Sequence, residues 1–295
     1  MPTIIPNKIH FIWVGNPLPF EQARNFVKWA IENPRYEGVW LWTNKYNIEV
    51  NLNILKKILN IDQRVEEVVI SSNIEGIDLQ ISIKPDLGAR IFIRSIESLP
   101  PLEGSEKYLS KALGEWKNYG MASDILRIWV LYQEGGIYMD FDTYSTGGSL
   151  STGIRAPRDI LFGQWDYKER GVDGKLVNAV IAASQSSDEL KLLAGFMKRR
   201  LDEVIPDSKA QTDLATIDEL RVQIRTKKDE LSLLQRKLRD SLEPLTLSTT
   251  GPDSLAEWFY EQKKMWPQGD ETIPYSFQRQ SGYNLRIESE NTWLR

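Results

Sequence analysis

The residues best suited to chemistry lie between Tyr119 and Ser145, in the run YGMASDILRIWVLYQEGGIYMDFDTYS. Two aspartates, Asp140 and Asp142, stand one residue apart in it. In an extended segment alternate side chains share a face. Both carboxylates are therefore expected on the side of Tyr138, with Met139 and Phe141 opposite. Like charges at that spacing repel, and a divalent cation relieves the repulsion. Mg2+ and Mn2+ take hard oxygen ligands, commonly one or two carboxylates together with phosphate oxygens. Upstream, Asp124 and Arg127 are three apart and share one helix face. Two blander readings compete with a phosphate-linked metal site. A calcium loop starting at Asp140 needs an acid, Asn or Ser at its fifth position, Gly at the sixth and Glu at the twelfth; Tyr144, Ser145 and Ser151 stand there, so that reading fails. An exposed Asp124–Arg127 pair, worth a few tenths of a kcal/mol, stays open.

The elements that must position these groups are legible on either side. Ala122, Ile125, Leu126, Trp129 and Val130 recur at offsets of three and four, which predicts a helix over Met121–Glu134. Gly135 and Gly136 end it, glycine being able to take the left-handed conformation of a helix C-terminus. The next residues, IYMDFDT, are predicted as a strand. A turn between them folds the helix back, so that Asp124, Arg127, Asp140 and Asp142 converge on one pocket.

Towards the N-terminus, KIHFIWV at 8–14 is the near-continuous apolar run of a buried parallel strand. A helix follows over Phe20–Ile31, then a strand at 39–43, a helix over Leu52–Leu59 and a strand over Val65–Ile70. This alternation predicts an α/β fold with a largely parallel sheet and functional loops at the carboxyl ends of its strands. Ile77–Ile83 alternates like a strand and Ser105–Trp116 reads as a helix, with no chemistry between them. Strands are expected at Asp159–Gly163 and through LVNAVIAAS at 176–184, where Asn178 is a lone amide in an apolar run and needs partners. Ser186 and Glu189 form a capping box for a helix over Asp188–Val204. Apolar positions at Ile217, Leu220, Ile224, Leu231, Leu234 and Leu238 predict a long amphipathic helix within 214–242, either covering the core or forming an appendage. Gly251 and Pro252 precede another helix.

Composition limits the function classes. The 295 residues suit one large domain, a single unit over 1–295 with a helical insertion at about 205–243. A hydrophobic share of 41% with ten Trp supplies a core. Net charge of −4 argues against general nucleic-acid binding. With no Cys, the fold does not depend on disulfides. No apolar run approaches the roughly 20 residues of a membrane span. The lone histidine, His10, is expected to be a satisfied core residue, since one His makes no catalytic pair by itself.

ASDILR followed by GGIYMDFD resembles the signature of DXD-motif glycosyltransferases with the GT-A fold, in particular the bacterial toxin branch that includes the large clostridial glucosylating toxins and related insect-pathogen toxin domains. The opening I-H-F-x-W-x-G and the terminal Glu-x-x-Asn-x-Trp at 288–293 match the same branch. The resemblance implies a GT-A fold with a mostly parallel Rossmann-like sheet and helical insertions. It implies a retaining transfer of glucose or N-acetylglucosamine from a UDP-sugar to a hydroxyl of a host protein, such as a Rho-family small GTPase, by an effector acting in the host cytosol. It further implies that Asp142 binds Mn2+ (or Mg2+) with help from Glu288 and Asn291, and that Asp140 holds ribose and sugar hydroxyls. Asp124 and Arg127 would fix the sugar, Ile12, Trp13, Ser123 and Tyr138 the uridine, and Asn178 the donor sugar. Trp293 would donate to the leaving diphosphate oxygen. T-G-P at 250–252 resembles a further motif of the family, on the acceptor side. A glycan or lipid acceptor, and a nucleotide-sugar-binding module without activity, are the alternatives. The membrane-targeting helical bundle of the clostridial relatives is not expected, because the first strand starts at Lys8.

Overall fold

The protein is described by a computed structural model covering residues 2–61, 65–73, 76–83, 88–102, 104–167, 172–205, 219–220, 222–223, 237, 241, 246–247, 249–263, 275–283 and 285–287. In chain order its elements are β1 (Thr3–Ile4), β2 (Lys8–Trp13), α1 (Phe20–Glu32), β3 (Gly38–Thr43), α2 (Ile48–Ile61), β4 (Val65–Asn73), β5 (Gly76–Ile83) and β6 (Ile91–Ser95). They continue with α3 (Glu106–Leu113), α4 (Tyr119–Glu134), β7 (Gly136–Met139), β8 (Thr143–Ser145), β9 (Arg155–Ala156), β10 (Ile160–Tyr167), β11 (Val172–Ala183) and α5 (Asp188–Val204). The last described elements are α6 (Pro252–Trp258), α7 (Phe277–Ser281) and β12 (Leu285–Ile287).

An eight-stranded sheet in the order β10-β11-β7-β2-β3-β6-β5-β4 divides the molecule. Its four central strands, β7, β2, β3 and β6, run parallel. Both flanks are antiparallel, β11 and β10 on one side and β5 and β4 on the other. The parallel centre is the predicted one, but its third αβ partner is not. Val65–Asn73 pairs antiparallel with β5 at the edge, and β6, which periodicity missed, takes the place beside β3. Five residues are too few to show a period clearly.

Alternation along the strands sorts side chains into two cores. Ile9 and Phe11 of β2 face α1 and α2, while Ile12 faces the layer built from α3, α4, α5 and α6. His10 lies on that second side, fully buried, with Nε2 bonded to the Gly135 carbonyl at 2.9 Å and Nδ1 accepting from Trp42 Nε1 at 3.2 Å. Burial pushes its pKa down to about 3, so it is a neutral, fully satisfied core histidine as expected.

The remaining differences are local. The α3 helix spans Glu106–Leu113, shorter than predicted. The cap of α5 is Ser187, whose side chain accepts from Leu190 N, and not Ser186, which has φ 56°. The Pro252 start of α6 is as predicted, with Gly251 at the N-cap. Most of 214–242 lies outside the described residues; within it 219–220, 222–223, 237 and 241 are helical. No helix among the described residues is long and apolar enough to cross a membrane.

Candidate active site at the D-x-D turn

Helix α4 is the frame of the site. Asn118 caps it, its side chain accepting from Met121 N at 3.1 Å, and the helix ends at Gly135. Gly135 has φ 63° and ψ −173°, a region open essentially to glycine alone, instead of the left-handed helical form. A Cβ there would sit 2.7 Å from Gln185 N and 2.8 Å from Pro6 Cγ. The reversal sends the chain back as β7, parallel to β2, with His10 opposite Tyr138.

The predicted strand through the D-x-D stops early. β7 ends at Met139, and Asp140–Thr143 is a turn closed by Thr143 N bonding Asp140 O at 3.0 Å. Asp140 keeps the alternation and faces Tyr138, whose hydroxyl donates to Asp140 Oδ1 at 2.5 Å. Asp142 lies across the turn, so one pleat does not relate the two carboxylates. The turn is fastened from behind by α1. Asn25 Nδ2 donates to the carbonyls of Phe141 and Thr143, both at 3.0 Å, and Trp29 Nε1 donates to Thr143 O at 3.2 Å. Sequence reasoning missed Asn25. Its one signal is that it is an amide beside Phe26 and Val27 on the apolar face of α1.

Asp124 and Arg127 are brought to the same place from α4, and they are not a surface pair. Their side chains are 7% and 5% exposed. Arg127 Nη2 contacts Asp124 Oδ1 at 2.8 Å and Asp140 Oδ1 at 3.1 Å. Its Nη1 donates to Asn178 O at 2.5 Å and its Nε to Ser123 O at 3.3 Å. The guanidinium also lies 4.5 Å from the centre of the Tyr138 ring. Asn178, the lone amide of β11, donates to Asp124 Oδ1 at 3.0 Å, and Thr250 Oγ1 donates to Asp124 Oδ2 at 2.9 Å. Thr250, from the T-G-P stretch, was placed by sequence only on the acceptor side; in the fold it touches Asp124.

Burial sets the electrostatics of this cluster. It pushes the Asp124 carboxyl up to about 7, with Arg127 pulling the other way. Asp140 is also raised by burial, against Arg127 and the Tyr138 hydroxyl. Burial works against the charge of Arg127 too, but Asp140, Tyr138 and Asp124 outweigh it and hold the guanidinium firmly protonated. The Tyr138 hydroxyl, raised chiefly by burial, stays neutral. The cluster is thus one cation serving two carboxylates.

Trp13 ends β2 beside the turn, its ring edge-on to Phe141 with centroids 5.4 Å apart. Ile12 is buried, and Ser123 is half-buried on α4. Antiparallel pairing of β12 with β8 brings Ile287 opposite Thr143, the residue after Asp142. Glu288, Asn291 and Trp293 lie outside the described residues. The donor set at the turn consists of carboxylate oxygens, which suits Mg2+ or Mn2+ and not a soft metal. Among the described residues no group of three or more His, Cys, Asp or Glu forms a metal site. The glycine-rich stretch at 145–153 is tethered, with Tyr283 Oη 2.6 Å from Ser145 Oγ and donating to Gly148 O at 3.1 Å.

Residues 19–155 match the family described as the glycosyltransferase sugar-binding region containing a DXD motif. With a parallel-centred sheet and the D-x-D turn at its carboxyl edge, the chain has the GT-A fold of solved toxin glycosyltransferase domains. The solved catalytic domain of alpha-toxin from Clostridium novyi has the same fold, at TM-score 0.60 and 13% identity over 95% of this chain and 78% of that one. The PaToxG glycosyltransferase aligns at TM-score 0.52 and 20% identity, over 88% and 71%. The Subversion of eukaryotic traffic protein A of Legionella pneumophila is 29% identical over 199 residues, which is 66% of this chain and 25% of that protein. The chain thus spans about a quarter of the length of that relative. Its fold is that of toxin glycosyltransferase domains, and its residues 19–155 resemble the sugar-binding region of DXD-motif glycosyltransferases.

Proposed function

We propose that this domain transfers glucose or N-acetylglucosamine from a UDP-sugar to a hydroxyl of a host protein, with retention at the anomeric carbon. The observation that carries the reading is the convergence of Asp124, Arg127, Tyr138, Asp140 and Asn178 beside the D-x-D turn, with Trp13 at its other side. Trp13 offers an indole for the uracil, a contact worth roughly 1–3 kcal/mol. Ile12, Ser123 and Tyr138 line the uridine, Asp140 holds ribose and sugar hydroxyls, and Asp124, Arg127 and Asn178 orient the sugar. Asp142 holds Mn2+ or Mg2+, with Glu288 and Asn291 completing the oxygen set. When bound, the cation supplies Lewis-acid stabilisation of the diphosphate charge. Trp293 adds an N–H donor to the departing oxygen. The bond from the anomeric carbon to the diphosphate oxygen breaks, and a bond to the acceptor oxygen forms on the same face. The acceptor's proton leaves with the diphosphate. No protein nucleophile is required.

A host protein is favoured as acceptor by the name of the Legionella relative, which concerns eukaryotic traffic, and a small GTPase of the Rho family is the acceptor we propose. The test is incubation with Mn2+ and a panel of UDP-sugars, reading UDP release. One sugar should be hydrolysed preferentially, and Asp142→Asn or EDTA should abolish release. No turnover with any sugar would leave a binding module. Labelling of a purified small GTPase, against none of a glycan acceptor, decides the acceptor class.

A further inference from the structure

The carboxylate of Asp124 has about four acceptor positions, two on each oxygen. Arg127 and Asn178 take both positions on Oδ1, at 2.8 and 3.0 Å. Thr250 takes one on Oδ2, at 2.9 Å. Among the described residues one position on Oδ2 is left, and the hydroxyl of Thr250 decides which way it points. Nothing on α4 itself performs that task.

Thr250 is held firmly enough to do so. Its backbone is turned back on Thr246, with Thr250 N and Gly251 N both donating to Thr246 O, at 3.0 and 2.8 Å. The same turn grips α4 at a second point. Thr246 Oγ1 and the Asn118 side chain are within 3.0 Å, and Asn118 is the cap of α4. Asn118 and Asp124 are six residues apart, about 9 Å along a helix axis. The stretch therefore spans the start of α4 and fixes it at both ends. Thr250 is itself buried. A hydroxyl bonded to a carboxylate at this depth is a charge-assisted contact of the stronger kind.

We infer that Thr250 is a positioning residue for the donor sugar: it orients the last acceptor position of Asp124 towards a sugar hydroxyl, without touching the nucleotide. This rests on the proposed UDP-sugar reading. It separates recognition of the sugar from recognition of UDP. Asp124 feels Thr250, whereas Trp13 and the D-x-D turn are held by Phe141, Asn25 and Trp29.

The experiment is calorimetric titration of the wild type, Thr250→Val and Thr250→Ser with UDP and with the UDP-sugar identified by the hydrolysis panel, in Mn2+. Valine keeps the shape and removes the hydroxyl; serine keeps the hydroxyl. Thr250→Val should bind the UDP-sugar about tenfold more weakly, as expected for one lost bond to a carboxylate, with UDP affinity unchanged. Thr250→Ser should restore the wild-type value. Ser254→Ala is the control. Its hydroxyl is buried one turn further on, without a hydrogen-bond partner among the described residues, and its loss should change neither affinity. Equal weakening of UDP and UDP-sugar in Thr250→Val would mean a general structural role and overturn the inference. Wild-type affinity for the sugar in that variant would overturn it too. Failure of the wild type to bind any UDP-sugar would refute the donor assignment instead.

Discussion

Replacing Arg127 by methionine keeps an unbranched stem and deletes the cation between Asp124 and Asp140. At pH 8 the two buried carboxyls must then either carry uncompensated charge or take up protons. Methionine cannot replace the ion pairs to Asp124 at 2.8 Å and Asp140 at 3.1 Å, nor the hydrogen bonds to two backbone carbonyls. Summing four charge-assisted bonds at full value would overstate the cost, because the carboxyls take up protons before the whole penalty is felt. The scale for breaking a buried pair by removing one partner is about 3–5 kcal/mol. Side-chain exposures of 5% and 7% leave little room for solvent screening. The pH dependence follows from the same pair. Asp124 already titrates near 7 in the fold against 3.8 unfolded, and loss of Arg127 drives it higher. A carboxyl raised in the fold gives stability that is full below its unfolded pKa and is lost as pH rises through the folded one. The deficit of Arg127→Met relative to wild type should therefore be largest at pH 8 and shrink as pH falls towards 5. Adding Asp124→Leu should cost clearly less than the sum of the two single changes. Equilibrium urea unfolding at several pH values, without added metal, reads all three quantities. A deficit below about 1 kcal/mol at pH 8, or one independent of pH, would refute a buried and mutually dependent cluster.

His10 makes a second pH prediction, of opposite sign. Its pKa falls from 6.5 to about 3 in the fold, so its contribution is present above 6.5 and lost as pH falls towards 3. Between pH 8 and pH 5 the wild type should lose about 2 kcal/mol more than His10→Gln, at about 1.36 kcal/mol per pH unit below 6.5; parallel unfolding curves at the two pH values would count against it. Asn25→Leu removes two of the three bonds from α1 that fasten the D-x-D turn, leaving that of Trp29. It should raise the Mn2+ concentration needed for half-maximal UDP-sugar hydrolysis several-fold, while costing about 1–3 kcal/mol in stability; an unchanged metal requirement in a destabilised protein would confine Asn25 to the core.

Much of this protein was legible in the chain itself. The parallel centre was visible because KIHFIWV and VWLWT are continuous apolar runs, the pattern of strands buried on both faces. The helix carrying Asp124 and Arg127, its stop at the glycine pair and the buried neutrality of His10 were also local matters of period and residue type. The sequence did not reveal the antiparallel edge role of Val65–Asn73 or the short β6, since a single strand does not encode its partner. Nor did it show that the D-x-D is a turn, which is decided by Asn25 and Trp29 reaching in from a helix more than a hundred residues away in the chain. Whether Asp124 and Arg127 form a solvated pair or a buried one was undecidable from spacing alone. Only the packing of β11 and the Thr250 turn over α4 removes them from water, and burial is what turns an ordinary ion pair into a cluster with a carboxyl near neutrality.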